Sequence, residues 1–335
     1  MIKRLFIVLL SFCYCYSHDG SNKGHIHLSS DEYTELHYSY GWKVAHYKQK
    51  NEWIFFLERS EDSTIDVVHW KSDGSDIIIG NLGPREGVIS VRAYDVNSEG
   101  LLAFKGLLSP TIYTMDLKSS KPTFKASGSS ATTWSQLFFF NNKTIVSSDT
   151  KFDLVDMTNT GLKRIKQISE IVPEHHQNPL VRKSNLYTFI FGNSFAKIAI
   201  GYSMHNEIFV FDKQINSRKF QTIPIYFPGL TFPDEKEKLK RNVENPVMEY
   251  FRRFHYLHTL SWHKNELYGL FFKGQEDRGT WVLLGGRSRI VWKNRRENDQ
   301  VISLSDDEII MGKEEETEDG LVTWELWRTA QIPKP

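Results

Sequence analysis

An all-β fold assembled from repeated small sheets is what this sequence predicts, and three observations carry it. The first is a recurring unit. Short apolar runs closing on an acidic or aromatic residue stand at Thr64–Trp70 (TIDVVHW), Thr111–Leu117 (TIYTMDL), Lys151–Met157 (KFDLVDM), Asn206–Lys213 (NEIFVFDK) and Leu321–Trp327 (LVTWELW). The unit returns about six times at a period of roughly 40–50 residues, the spacing of propeller blades. The second is turn chemistry between the runs, as at Ser72-Asp73-Gly74 and Asn97-Ser98-Glu99-Gly100. Such clusters mark hairpins between short strands. The third is the aromatic content, 22 Phe, 14 Tyr and 9 Trp, which favours strands and supplies broad faces for packing one sheet on the next. The predicted fold is a six-bladed β-propeller with an N-terminal strand completing the last blade.

Each unit reads as four strands. The first runs Lys43–Tyr47, Glu52–Leu57, Thr64–Trp70 and Asp76–Ile79, and the second Val91–Val96, Leu101–Lys105, Thr111–Leu117 and Pro122–Ala126. The third starts at Trp134, turns at Asn141-Asn142, and continues through Thr144–Ser148, Phe152–Asp156 and Leu162–Gln167. The fourth runs Leu186–Phe191, Phe195–Ile200, Asn206–Asp212 and Lys219–Pro224, and the fifth Leu257–Trp262, Glu266–Phe271, Thr280–Leu284 and Ser288–Trp292. The sixth holds only Val301 onward, Glu308–Met311 and Leu321–Trp327 before Pro333 and Pro335, which suit a strand poorly. Glu32–Tyr38 is the segment left over, so it is expected to supply the missing strand and remove an exposed edge. Two connections are long, Ser169–Asn185 and Ile225–Tyr256, and the second carries a helix candidate from Asp234 to Asn242. Long connections in compact domains are commonly functional.

The first residues read as a targeting segment. Lys3 and Arg4 precede an apolar stretch, Leu5–Tyr16, which is too short to span a bilayer and fits a signal peptide cleaved after Ser17. The expected domains are therefore a signal peptide at 1–17 and one propeller at 18–335. The alternative is a lipid anchor at Cys13 or Cys15, although Phe12 and Tyr14 stand where such sites usually carry a small residue. These are the only two cysteines, so the remaining chain has neither disulfide nor thiol chemistry. The net charge of +1 argues against nucleic-acid binding by bulk charge. No later segment is apolar enough to cross a membrane as a helix. Asn142-Lys143-Thr144 is a formal glycosylation triplet.

A resemblance enters at Ile79–Gly87 (IGNLGPREG), continuing through VISVRAYDVNSEGLLAF to TIYTMDL. This succession of a Gly-rich link, a strand, a polar Gly turn and a strand of the IY-apolar-Asp kind resembles the exported six-bladed propellers of the TolB-like and NHL-like type found in Bacteroidetes. Arg252-Arg253-Phe254 followed by LHTLSWHKNELYGLF resembles their later blades. The resemblance implies a fold and an exported location, periplasmic or extracellular. It brings no catalytic residue, because most members have no assigned reaction.

Candidate ligand-binding residues gather in the connections expected at one mouth of the central channel. Arg85, Arg182, Arg252 and Arg253 offer guanidinium forks for carboxylate, sulfate or phosphate. His175 and His176 lie in one long connection, and His255 and His258 at the end of the other. Three or four converging ligands would be needed for a metal, and strand alternation sets His255 and His258 apart, so neither a metal nor a cofactor is expected. His25 and His27 share one strand face near the processed terminus. Arg295 and Arg296 fall in a crossing of the same kind, and acids accompany the whole arginine set: Glu86, Glu170, Glu174, Glu249, Glu297 and Asp299. These connections are therefore close to neutral, and pairing within the chain is the stronger reading against an anion-binding mouth. Glu314-Glu315-Glu316 reads as a solvated loop tip. Asp95-x-Asn97-x-Glu99-Gly100 resembles a calcium loop, but Gly106 stands at its twelfth position, so it reads as a hairpin turn. The tryptophans 262, 281, 292, 324 and 327 read chiefly as packing between blades. No nucleophile elbow, phosphate loop or dinucleotide fingerprint is present.

The function expected from sequence is a ligand- or protein-binding module outside the cytoplasm, with no reaction assigned and more weight on a non-enzyme. Its partner would be a glycan, a peptide or an envelope protein, and the chain would be a monomer. The alternative is a carbohydrate-active hydrolase or lyase with its site at the channel mouth.

Overall fold

The computed structural model describes residues 24–33, 42–84, 88, 90–106, 111–119, 121–129, 136–139, 141, 144–148, 152–158, 161–167, 189–194, 196–213, 220–233, 252–274, 278–286 and 288–332. Strands β11 to β13, given below, are described by their backbone.

Among these residues every sheet is antiparallel and four-stranded. After β1 (His25–Ser29), the first consecutive set is β2 (Val44–Tyr47), β3 (Glu52–Glu58), β4 (Ile65–Trp70) and β5 (Asp76–Leu82). The second is β6 (Val91–Val96), β7 (Leu101–Gly106), β8 (Thr111–Asp116) and β9 (Lys125–Ser129). The third is β10 (Gln136–Phe139), β11 (Thr144–Ser148), β12 (Phe152–Thr158) and β13 (Gly161–Gln167). The fourth is β14 (Phe189–Asn193), β15 (Lys197–Tyr202), β16 (Glu207–Asp212) and β17 (Gln221–Pro224). The fifth is β18 (His255–His263), β19 (Glu266–Lys273), β20 (Thr280–Leu284) and β21 (Arg289–Lys293). The last sheet has the order β1-β24-β23-β22, with β22 (Gln300–Leu304), β23 (Ile309–Glu316) and β24 (Val322–Thr329). Its fourth strand thus comes from the other end of the chain.

These sheets make a β-propeller. Their leading strands touch in series: β2 with β6, β6 with β10, β10 with β14, β14 with β18, and β18 with β22. The apolar clusters follow the same path. Ile54, Phe56 and Val67 of the first sheet pack with Val91, Leu102 and Phe104 of the second. Ala93 and Ala103 pack with Leu137 and Phe139, Phe138 with Ile198 and Phe209, and Ile208 with Leu257 and Leu260. A further cluster joins Trp281 of the fifth sheet, Ile310 and Leu326 of the last, and Phe55 and Trp70 of the first. Because a middle strand has a neighbouring sheet on both sides, it is apolar on both faces. That is why β3 reads Trp-Ile-Phe-Phe-Leu without alternation, and all five of those side chains are buried.

The strand that completes the last sheet differs from the sequence expectation. It is His25–Ser29, paired in register from His25 opposite Trp327 to Ser29 opposite Thr323. Its HIHLS alternation buries Ile26 and Leu28 and exposes His25 and His27. Glu32 lies in the turn beyond, and Tyr33 makes an isolated bridge to Arg59 of the first sheet; residues 34–38 of the expected strand lie outside the described residues. His25 and His27 share the exposed face of this strand, as their spacing predicts. His25 Nδ1 meets Glu325 Oε1 of β24 at 2.8 Å.

Other boundaries moved for identifiable reasons. β9 starts at Lys125, not Pro122, since proline has no N–H for a ladder. Glu314–Glu316 belongs to β23 and is no loop tip, because β23 and β24 extend as a long hairpin to Glu316 opposite Val322. The turn at Asn97 holds as expected: its Oδ1 accepts from the Glu99 and Leu101 N–H groups at 2.9 and 2.8 Å. Gly100 there has φ +80°, and a Cβ on it would lie 2.9 Å from the Tyr47 ring. Gly100→Ala should therefore cost about 1–3 kcal/mol in urea unfolding, while Gly320→Ala, at a similar φ but in open space, should cost less.

Candidate functional site

A propeller has two ends. At one, the first strand of each sheet turns into the second and the third into the fourth; at the other lie the crossings between sheets and the remaining hairpins. Of the arginines and histidines expected from sequence, Arg252, Arg253, His255 and His258 are described, and they lie at the crossing end. Arg252 and Arg253 form a short helical turn there and are both exposed, with the Arg253 guanidinium 5.1 Å from the Phe254 ring. His255 opens β18, where its Nδ1 accepts from the Thr231 N–H at 3.1 Å and its ring stands edge-on to Phe227 at 5.8 Å. Burial, with Lys273 adding repulsion, pushes its pKa down to about 4. It is a neutral staple that fixes the segment 225–233 onto the fifth sheet.

His258 falls at a register shift between Leu257 and Thr259. Its Nδ1 lies 2.9 Å from Thr259 Oγ1, and its ring is 5.2 Å from Phe272. Each histidine has partners of its own. Arg85, His175, His176 and Arg182 lie outside the described residues, as do the helix candidate and Asn142 and Lys143 of the glycosylation triplet. Among the described residues, no three His, Cys, Asp or Glu side chains group as metal ligands.

Other charges at this end pair with one another. Glu314, although in an acidic run, has a side chain only 5% exposed that meets Arg278 Nη2 at 2.6 Å and Arg296 Nε at 3.5 Å. Arg296 also contacts Glu316. The tryptophans pack between sheets: the Trp262 indole donates to Gly192 O at 3.0 Å and that of Trp281 to Val301 O at 2.9 Å.

The turn end carries a different constellation, which the sequence reading did not pick out. Lys48, in the first sheet's leading turn, reaches across the axis to Asn193 O of the fourth sheet at 2.7 Å. The same Nζ meets Asp306 Oδ2 of the last sheet at 3.0 Å. Asp95, on the second sheet, accepts from the Phe139 N–H of the third at 2.7 Å and from Asn193 Nδ2 at 2.9 Å. Asn193 Nδ2 also donates to Phe139 O at 3.2 Å, while its Oδ1 is buried with no hydrogen-bond partner among the described residues. Lys213 Nζ, following β16, donates to Phe139 O at 3.5 Å. The fifth sheet joins through the Lys264 N–H, which donates to Asp306 O at 2.9 Å. Every sheet thus contributes a group to one polar knot on the axis.

Two lysines and two aspartates balance there. Lys48 and Asp306 stay 34% and 26% exposed at their side chains, so the knot is accessible from the turn end. Burial raises the Asp95 pKa, although the Phe139 N–H, both lysines and Asn193 oppose this. Burial also lowers that of Lys213 to about 8; Asp95 and Asp306 oppose the shift and Lys48 adds to it. The available signal was positional. A polar residue sits within two positions of the end of four of the leading strands, as at Lys48, Asp95, Asn193 and Asp306. That pattern has meaning only once the turns are known to converge.

No family model and no curated protein matches this chain. Among solved structures it is similar to the β-propeller domain of Myceliophteria thermophila Cps50 (Swd1). That likeness has a TM-score of 0.41 at 10% identity, over 82% of this chain and 80% of the other. No helix among the described residues is long and apolar enough to cross a membrane.

Proposed function

We propose that this chain is an exported binding module: a six-bladed ring, each four-stranded sheet one blade, closed by β1 and presenting its recognition surface at the turn end of the axis. The observation that carries the reading is the axial knot, where Lys48 and Asp306 are ion-paired yet open to solvent beside a buried Asn193 Oδ1 that has no hydrogen-bond partner among the described residues. Charged and carboxamide groups held on rigid strands suit a polar ligand or a protein surface bearing charges of both signs. The leader-like segment at 1–17 and the resemblance to exported TolB-like and NHL-like propellers support a location outside the cytoplasm. A glycan, peptide or envelope protein is the class of partner that location offers.

The test is a glycan and peptide binding screen of the purified protein, with product analysis of every hit. A Lys48→Ala/Asp306→Ala pair, which keeps the net charge, should weaken the hit at least about tenfold. Arg252→Ala/Arg253→Ala should leave it within about twofold, because these side chains lie at the opposite end. The reverse result would move the site to the crossing end and favour an anionic ligand. Release of a cleaved product would replace the binding module with an enzyme.

A further inference from the structure

Lys213 stands out among the polar groups of the axial knot. Its Nζ is partly buried, and the hydrogen bond it makes among the described residues is the long one to Phe139 O. Asp95, the carboxylate that compensates it most, is already engaged by the Phe139 N–H, by Asn193 Nδ2 and, through Oδ1, by the Val96 N–H at 2.9 Å. Asp306 is held by Lys48, itself a second cation facing Lys213. An amine that is desolvated, weakly bonded and set beside another cation is the arrangement that makes a lysine nucleophilic.

We propose that Lys213 is a carbonyl-capture site: its ε-amine condenses with an aldehyde or activated ketone that enters the axial knot from the turn end. The step balances. Once the ammonium has released a proton to solvent, the amine lone pair adds to the carbonyl carbon. The carbinolamine then loses water, and a C=N bond replaces C=O. The depressed pKa supports this by raising the free-amine fraction near neutral pH. The proposal rests on the same axial site as the binding function, but its test needs no partner. Failure of capture therefore leaves the binding reading standing, and loss of binding leaves capture standing.

The experiment exposes the full chain to pyridoxal 5′-phosphate, and in parallel to pyridoxal, near neutral pH. Borohydride then reduces the imines, and peptide mass spectrometry gives the rate at each lysine. Lys213 should label about tenfold faster than the exposed Lys50 and Lys264 with both probes. Lys48→Met, which removes the neighbouring cation, should slow labelling at Lys213 several-fold. Labelling no faster than at Lys50 and Lys264, labelling by the phosphorylated probe alone, or an unchanged rate in Lys48→Met would each overturn the proposal. Lys213→Arg, which keeps the positive charge, should abolish the modified peptide and confirms the assignment of the peak.

Discussion

Arg328→Met is expected to lower the unfolding free energy by about 3–5 kcal/mol, among the largest effects of any single substitution in this chain. Arg328 lies on β24 and is 1% exposed. Its guanidinium stacks 4.2 Å from the Trp70 ring and donates across the seam to the first sheet: to Trp70 O at 2.8 Å, Lys71 O at 2.6 Å and Asn51 O at 3.2 Å. Glu308 stands 3.9 Å away and also accepts from the Trp53 indole at 3.3 Å. Methionine has a similar length and no donor. It would leave three carbonyls and a buried carboxylate without their partner, which is where the cost arises. Urea unfolding measures it. A loss under about 1 kcal/mol would mean that water enters the seam and takes over those carbonyls.

The second large effect is loss of stability in mild acid. His46 sits at the same seam, its ring 4.3 Å from that of Trp53 and its Nε2 2.9 Å from Asn51 Oδ1. Burial drives its pKa to about 3, Lys48 and Arg328 add repulsion, and the Asn51 contact opposes. His255 is lowered to about 4 at the fifth sheet. Both are neutral in the folded chain from pH 7 down to those values, whereas in the unfolded chain they protonate around 6.5. The unfolded state therefore takes up protons that the folded state refuses, and stability falls as pH drops from about 6.5 towards 4. Below the folded pKa values that slope vanishes. After discounting for partial exposure, the two together are worth about 3–5 kcal/mol. Denaturant midpoints measured through this window should fall steeply for the wild type and more gently for a His46→Gln/His255→Gln variant. Parallel curves would show that other groups govern acid unfolding: His69 and His263, which burial also lowers, or carboxylates.

Local chemistry made most of the strands readable. β6 and β11 match the expected ranges, and the strands of the first sheet lie within three residues of theirs, because each run is bounded by Asn, Asp, Ser or Gly in a turn and by apolar residues in the strand. What escaped depends on distance along the chain. HIHLS is short enough to pass for a processed tail, and only its pairing with β24 shows that Ile26 and Leu28 belong to the core. Glu314 looked solvated because its partners Arg278 and Arg296 come from the neighbouring sheet and the crossing, so charge runs alone misplace it. The axial knot was invisible for the same reason: Lys48 and Asn193 are 145 residues apart, and only closure of the fold brings them together.

The β1–β24 pairing also governs when the molecule can finish forming. His25 and Glu325 are separated by 300 residues, so β1 must wait for all the intervening sheets to be made before its partner exists. Loop closure over that length is entropically slow, and the β24 edge stays available to other chains until it happens. Until then, newly made molecules carry a matching donor strand and acceptor edge. Crowded together, they are prone to exchange their leading segments and link into chains.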